Sequence, residues 1–253
     1  MPSVDKLKIK LFMDGADLAS IRNAVEKSPI IKGFTTNPTL MRKAGIANYA
    51  AFAREAISVV GDLPISFEVF SDTFEEMERE ARIIAGWGGN TYIKVPVTNT
   101  AGQSAAPLIR KLSGEGIRLN VTAMLTLEQV RVVAKVLNPS VPSIVSVFAG
   151  RVADTGVDPV PLMREAAGIL RGNGLAELLW ASPRELLNVF HAEESGCHII
   201  TATSDILAKL KLVGKDLAQF SLETVKMFFD DAKAAGFALH EAPQSPKGAQ
   251  SQK

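Results

Sequence analysis

Cysteine and histidine are scarce in this chain. Cys197 is the one cysteine among 253 residues, beside three histidines. A single thiol excludes an intramolecular disulfide and fits a reducing compartment. No two histidines stand at ligand spacing, which argues against a transition-metal site, while carboxylate-bound magnesium stays open. An excess of either charge is missing too. The formal net charge of +1 and an aromatic content of 6% leave no basic, aromatic-interleaved patch, so neither nucleic acid nor an anionic membrane is an expected partner. No apolar run is long enough to cross a bilayer, and no charged segment leads into an apolar one at the N-terminus; a cytoplasmic location is expected.

What is present is ordinary in amount and regular in arrangement. Hydrophobic residues make up 47% and charged residues 22%, enough for a sizeable core without covalent staples. Short apolar, β-branched runs alternate with amphipathic stretches throughout. The strand-like runs centre on residues 9–13, 31–35, 64–69, 91–95, 118–121, 143–148, 177–180 and 198–201, spaced as strand–loop–helix–loop units require. Helical patterns lie between them, as at 75–85, 128–137 and 161–170. Asp72-Thr-Phe-Glu75 and Thr126-Leu-Glu128 offer helix caps, Pro38, Pro161 and Pro183 suit first turns, and Gly86, Gly172, Gly174 and Gly236 fall where helices should stop.

Eight such units in about 240 residues match an α/β (β/α)8 barrel. The first strand ends in Met13-Asp-Gly-Ala-Asp17, neither a Walker loop nor a GxGxxG turn, which weighs against a doubly wound sheet. A further helix is expected after the eighth unit, at about 221–239. Residues 1–239 thus read as one barrel domain with that helix, and 240–253, without apolar periodicity, as a disordered tail.

Lys94 is the most informative residue. It lies inside Asn90-Thr-Tyr-Ile-Lys-Val-Pro-Val-Thr98, a strand-like run in which a lysine either snorkels to water or is held in a low-dielectric site. The barrel places chemistry at the C-terminal strand ends, and these ends are polar in succession: Asp14, then Thr35-Thr36-Asn37, then Glu68, Lys94, Asn120 with Thr122, and Ser146. Each has a plainer reading. Asp14 suits a helix cap, Asn37 a turn before Pro38, Glu68 a rim ion pair with Arg151, and Thr122 or Ser146 a structural hydroxyl. Their convergence on one lysine favours a site. An amine condenses with a ketone to an iminium that accepts electrons from a breaking C–C bond, and Asp14 can take the proton of the departing hydroxyl. Glu68 with Thr122 can hold a proton-shuttling water. Asn37, Asn120 and Ser146 can bind sugar hydroxyls, and Arg151 and Arg184 can clamp a phosphate.

Five segments carry a family resemblance: Met13-Asp-Gly-Ala-Asp17, Gly33-Phe-Thr-Thr-Asn-Pro-Thr-Leu40, Tyr92-Ile-Lys-Val-Pro-Val-Thr98, Leu119-Asn-Val-Thr122 and Val145-Ser-Val-Phe-Ala-Gly-Arg151. In order and spacing the chain resembles the transaldolase family, in the short form related to fructose-6-phosphate aldolase. The resemblance implies a class I aldolase barrel without cofactor. It makes Lys94 the Schiff-base lysine, Asp14 the acid/base, and Glu68 and Thr122 the binders of the catalytic water. Thr36, Asn37, Asn120, Ser146, Phe148, Arg151 and Arg184 would contact substrate. Glu68 and Phe148 resemble transaldolases rather than the aldolases, implying transfer of dihydroxyacetone from sedoheptulose 7-phosphate or fructose 6-phosphate to an aldose phosphate. A homo-oligomer, pentamer or decamer, is implied by the same analogy. Release of free dihydroxyacetone and non-catalytic sugar-phosphate binding are the competing readings. Pro183 and His191-Ala-Glu-Glu194 depart from the family pattern.

Overall fold

A computed structural model describes residues 3–239. The chain alternates β1 (Lys10–Asp14), α1 (Leu18–Lys27), β2 (Ile31–Thr35), α2 (Pro38–Lys43), α3 (Tyr49–Val60), β3 (Ile65–Glu68), α4 (Phe74–Ala85), β4 (Thr91–Pro96), α5 (Ala106–Gly114), β5 (Leu119–Met124), α6 (Leu127–Val136), β6 (Ser143–Val147), α7 (Ala149–Asp154), α8 (Pro159–Leu170), β7 (Ala176–Trp180), α9 (Leu187–Glu194), β8 (Ile199–Thr203) and α10 (Ser204–Leu207). The eight strands pair in sequence order and close, all parallel, with β1 against β8. This is the expected (β/α)8 barrel, and every expected strand falls within a few residues of an observed one.

Local chemistry sets the helix starts. Thr126 forms a full capping box with Gln129 at α6, and Thr73, not Asp72, caps α4 by accepting from the Glu76 N–H. Asp72 instead accepts from the backbone and hydroxyl of Thr100. Pro38 occupies the first turn of α2, where its missing N–H costs nothing. Pro183 starts no helix: it lies in the β7–α9 loop, four residues ahead of Leu187. Glu193 explains part of the polar 191–194 stretch, since its carboxylate accepts from the Lys8 and Ile9 N–H groups and closes the entry to β1.

Two cores result from the period-two alternation of the strands. Outward residues pack beneath the helices in one large cluster that includes Leu11, Phe67, Ile93, Val121, Val145 and Trp180. Inward residues fill the barrel with Phe12, Tyr92, Ile144, Leu179, Ala181 and Ile199. Gly33 is required here. It pairs with Phe12 in register, and a Cβ on it would lie 2.5 Å from the Phe12 ring. One inward step toward the C-terminal ends, the same strands present Asp14, Lys94, Ser146 and Thr201. The apolar plug is thus the floor of a polar cup.

The barrel unit extends to Lys211, and a second compact unit begins at Leu212. That unit carries α11 (Leu217–Ala234), capped by Asp216 through the Gln219 N–H; this cap starts the helix four residues before the expected 221. None of its residues is buried. The tail expected at 240–253 lies outside the described residues. Among the described residues no helix is long and apolar enough to cross a membrane.

Candidate active site

The C-terminal strand ends enclose a cavity of about 360 Å³. Its centre is Lys94. The side chain is 7% exposed, and Nζ donates to the Thr36 carbonyl at 2.9 Å and pairs with Glu68 Oε2 at 2.9 Å. Glu68 pairs with Lys94 in register on the neighbouring strand, so the ion pair follows from the sheet itself. Arg151 is therefore not its partner. Tyr49 of α3 fixes the Glu68 backbone from behind, donating to its carbonyl at 3.0 Å and accepting from its N–H at 2.9 Å.

Asp14 faces this pair. It does not cap the next helix, because Asp17 does so through Ser20. Its Oδ1 accepts from the Thr35 hydroxyl at 2.7 Å and its Oδ2 from Asn37 Nδ2 at 3.3 Å. Asn37 serves twice, since its Oδ1 also caps α2 through the Leu40 N–H. Burial pushes the Asp14 carboxyl above its usual value; Lys94, Thr35 and Asn37 oppose this, and Glu68 adds to it. A buried carboxyl with its proton affinity raised is suited to exchanging a proton with a ligand.

On the other side, the Ser146 hydroxyl donates to Asn120 Oδ1 at 2.6 Å, and Asn120 Nδ2 donates to Ser66 Oγ at 3.0 Å. Both neighbours are hydroxyls, which can donate or accept, so the two bonds hold the amide in place between β3 and β6. Thr122 Oγ1 is buried without a protein partner, leaving a hydroxyl free for a water or ligand at the cavity wall. Beside it, Ala123 takes a left-handed φ of 64° where the β5–β6 register shifts, a local distortion of the kind found near sites.

At the rim, the Arg151 guanidinium lies 5.2 Å from the Phe148 ring centroid, and both line the cavity. The cavity therefore gathers Asp14, Asn37, Glu68, Lys94, Asn120, Thr122, Ser146, Phe148 and Arg151. Two expected contacts fall elsewhere. Thr36 is buried with its hydroxyl on the Ser66 carbonyl, so it meets Lys94 only through its backbone. Arg184 does not line the cavity; its guanidinium forms a bidentate pair with Asp154, with Nε 2.8 Å from Oδ1.

Among the other lining residues, Thr35, Thr201 and Ser182 had no role assigned from the sequence, Thr35 being noted only as part of a polar strand end. Thr35 and Thr201 point inward by the alternation that places Gly33 and Ile199 inside, so counting by two along β2 and β8 would have found them. Ser182, with a left-handed φ of 57°, had no such signal. Its carbonyl lies against Gly150, where a Cβ would come within 1.4 Å.

Among the described residues no group of three His, Cys, Asp or Glu is placed to hold a metal ion. What the residues do offer is an amine beside two carboxylates, hydroxyl and amide groups around it, and one guanidinium at the mouth. This set can form an imine with a carbonyl, move protons and orient a polyol.

Comparison with known proteins agrees with this chemistry. A model of the transaldolase/fructose-6-phosphate aldolase family matches residues 11–245. The chain is 36% identical over 203 residues to a probable transaldolase of Streptococcus equi subsp. zooepidemicus, covering 80% of this chain and 90% of the relative. It is 34% identical over 203 residues to probable transaldolase 2 of Listeria monocytogenes, covering 80% and 88%. Among solved structures, a phosphonomutase-like protein of Burkholderia cenocepacia superposes with a TM-score of 0.54 at 12% identity, covering 88% of this chain and 94% of that one, a likeness of fold alone. The chain belongs to the transaldolase/fructose-6-phosphate aldolase family.

Proposed function

We propose that this protein is a transaldolase that moves a dihydroxyacetone unit from a ketose phosphate, sedoheptulose 7-phosphate or fructose 6-phosphate, to an aldose phosphate. The observation that carries the reading is the buried Lys94 amine with Glu68 at 2.9 Å and Asp14 across the same cavity. Glu68 takes the proton that the ammonium must lose before Nζ attacks the donor ketone. Loss of water from the carbinolamine gives the iminium, with Glu68 and the unpartnered Thr122 hydroxyl holding that water. Asp14 removes the proton of the C4 hydroxyl, the C3–C4 bond breaks, and its electrons pass into the iminium to leave an enamine on Lys94. Attack on the acceptor aldehyde, with Asp14 returning the proton, reverses these steps.

Asn37, Asn120 and Ser146 orient the donor hydroxyls. Arg151, at the mouth beside Phe148, receives the phosphate; Arg184 joins it only by leaving Asp154. Phe148 brings no hydroxyl with which to activate water, which favours transfer over release of free dihydroxyacetone. We further propose cytoplasmic action in the pentose phosphate pathway. The exposed Leu222, Val225, Phe228 and Phe229 of α11 support a homo-oligomer, pentamer or decamer, which light scattering tests.

Borohydride reduction with fructose 6-phosphate, followed by intact mass, decides the reading. A dihydroxyacetone-sized adduct on the wild type and none on Lys94→Met is expected. Absence of an adduct on the folded wild type refutes covalent catalysis and returns the chain to a binding role. Equal cleavage rates with and without an acceptor aldose phosphate would make it an aldolase.

A further inference from the structure

Asp14 is held by more than its first neighbours. Thr35 Oγ1, which donates to Asp14 Oδ1 at 2.7 Å, lies 2.6 Å from Thr201 Oγ1, and both threonines are buried. Thr35 is on β2 and Thr201 on β8, strands that do not touch each other; β1 runs between them. The hydroxyl pair therefore bridges β1, passing from beside Phe12, the register partner of Thr201, to beside Asp14, the register partner of Thr35. The direction of the bridge is set by the carboxylate. While Asp14 is ionised, Thr35 must spend its single proton on Oδ1, so Thr201 must donate to Thr35. When Asp14 carries a proton on Oδ1, both bonds reverse, and the Thr201 proton turns into the cavity that this residue lines.

We propose that Thr201 is a positioning residue for Asp14: through Thr35 it supplies the second of two hydroxyls that reorient as Asp14 takes and returns the substrate proton. The proposal rests on the function given above, in which Asp14 is the acid/base. Donation to the charged form favours it, and a second donor in line strengthens the first. The bridge thus works against the burial that raises the Asp14 proton affinity. The charged groups facing Asp14 are Lys94 from β4 and Glu68 from β3, with Arg151 after β6 at the same cavity; β2, the start of α2 and β8 face it with Thr35, Asn37 and Thr201, which carry no charge. Neither threonine needs to touch the reacting atoms for this role.

The test titrates the Asp14 carboxyl directly by ¹³C NMR, assigned with Asp14→Asn, in the wild type, Thr201→Val and Thr201→Ser. Valine is nearly isosteric and removes only the hydroxyl; serine keeps it. In Thr201→Val the midpoint moves upward, and the acid limb of kcat/KM moves with it, lowering kcat/KM on that limb about fivefold, the worth of one ordinary hydrogen bond. Thr201→Ser restores both. Should valine fail to fold, Thr201→Ala provides the same comparison. An unchanged midpoint, a serine variant that behaves like valine, or a moved midpoint with a fixed acid limb overturns the proposal. Borohydride trapping on the wild type separates the two levels. No adduct there sinks the Schiff-base reading, and with it any positioning role for Thr201 in catalysis. An adduct with an unmoved midpoint sinks the role of Thr201 alone.

Discussion

The Lys94–Glu68 pair should be worth more to the reaction than to the fold, and the structure sets the scale. At 2.9 Å and an effective dielectric near 20, the Coulomb attraction is about 6 kcal/mol. Desolvating two ions costs several kcal/mol each, and with side chains only 9% and 20% exposed most of that cost applies. The pair as a whole is near neutral for stability. Removing one member is not. Lys94→Met preserves length and packing but leaves the Glu68 carboxylate facing Asp14 without its cation, which should cost about 3 kcal/mol, the low end for buried pairs because Glu68 retains some exposure. Glu68→Gln keeps an acceptor for Nζ and should cost about 2 kcal/mol. If the two were independent, the double variant would lose about 5 kcal/mol; with both charges gone it should lose only about 2 kcal/mol, a coupling of about 3 kcal/mol. Urea unfolding of the four proteins reads this from the midpoints at constant slope. A double variant that loses the full sum would refute the claim that these groups form an ion pair in the resting fold.

Asp14→Asn should abolish turnover and yet stabilise the fold at neutral pH. The folded carboxyl has its proton affinity raised by burial above the ordinary 3.8. A group shifted in this direction costs stability once the pH climbs through 3.8 toward the folded value, and costs nothing below it. Melting temperatures should therefore favour the variant at pH 7 and converge as pH falls to 3.8; a constant difference across that range would contradict the assignment. Gly150→Ala should be among the most damaging single-methyl changes. Its Cβ would sit 1.4 Å from the Ser182 carbonyl oxygen, so the start of α7 and the β7–α9 loop must separate at a cost of about 3 kcal/mol or more, read as a lowered melting point together with a raised KM for phosphorylated donors. Unchanged melting would show that α7 and this loop do not meet as described.

The barrel and most of its cup were legible because both depend on periodicity. Runs of β-branched residues at regular spacing marked the strands, and the polar strand ends from Asp14 to Ser146 marked the cup; counting by two also puts Phe12 on the inward face of Asp14 and Tyr92 on that of Lys94. The count was applied unevenly. On β2 it selects Thr35, whereas Thr36 had been paired with Asn37 as a substrate contact; the structure turns the Thr36 hydroxyl to the Ser66 carbonyl. Loop positions had no comparable rule. Nothing in Trp180-Ala-Ser-Pro-Arg184 announces that Asp154, thirty residues earlier, will engage Arg184, since that contact depends on where α7 ends. The start of α11 was missed for a different reason: Asp216 caps it, but the apolar pattern used to find the helix becomes dense only from Leu222 onward.

This division between strand and loop bears on how the protein can vary. The groups assigned to bond making and breaking, Asp14, Glu68, Lys94 and Thr122, sit on barrel strands, Glu68 and Lys94 as direct register partners, and none can move without shifting the barrel wall. The groups assigned to the phosphate end sit beyond β6 and β7, Arg151 on the short helix α7 and Arg184 on the β7–α9 loop, held by contacts that can be exchanged. Arg184 is bound to Asp154 in an exposed pair, of the kind that contributes little to stability. Releasing it costs little, and it frees a guanidinium two residues after Ser182, which lines the cavity. If the proposed function holds, the choice of donor and acceptor can drift by changes at 154, 182 and 184 while the proposed imine chemistry stays fixed. Asp154→Asn is the cheapest such change, because it frees Arg184 without touching a strand, and it should alter KM among sugar phosphates of different length while leaving the borohydride-trapped adduct on Lys94 as it was.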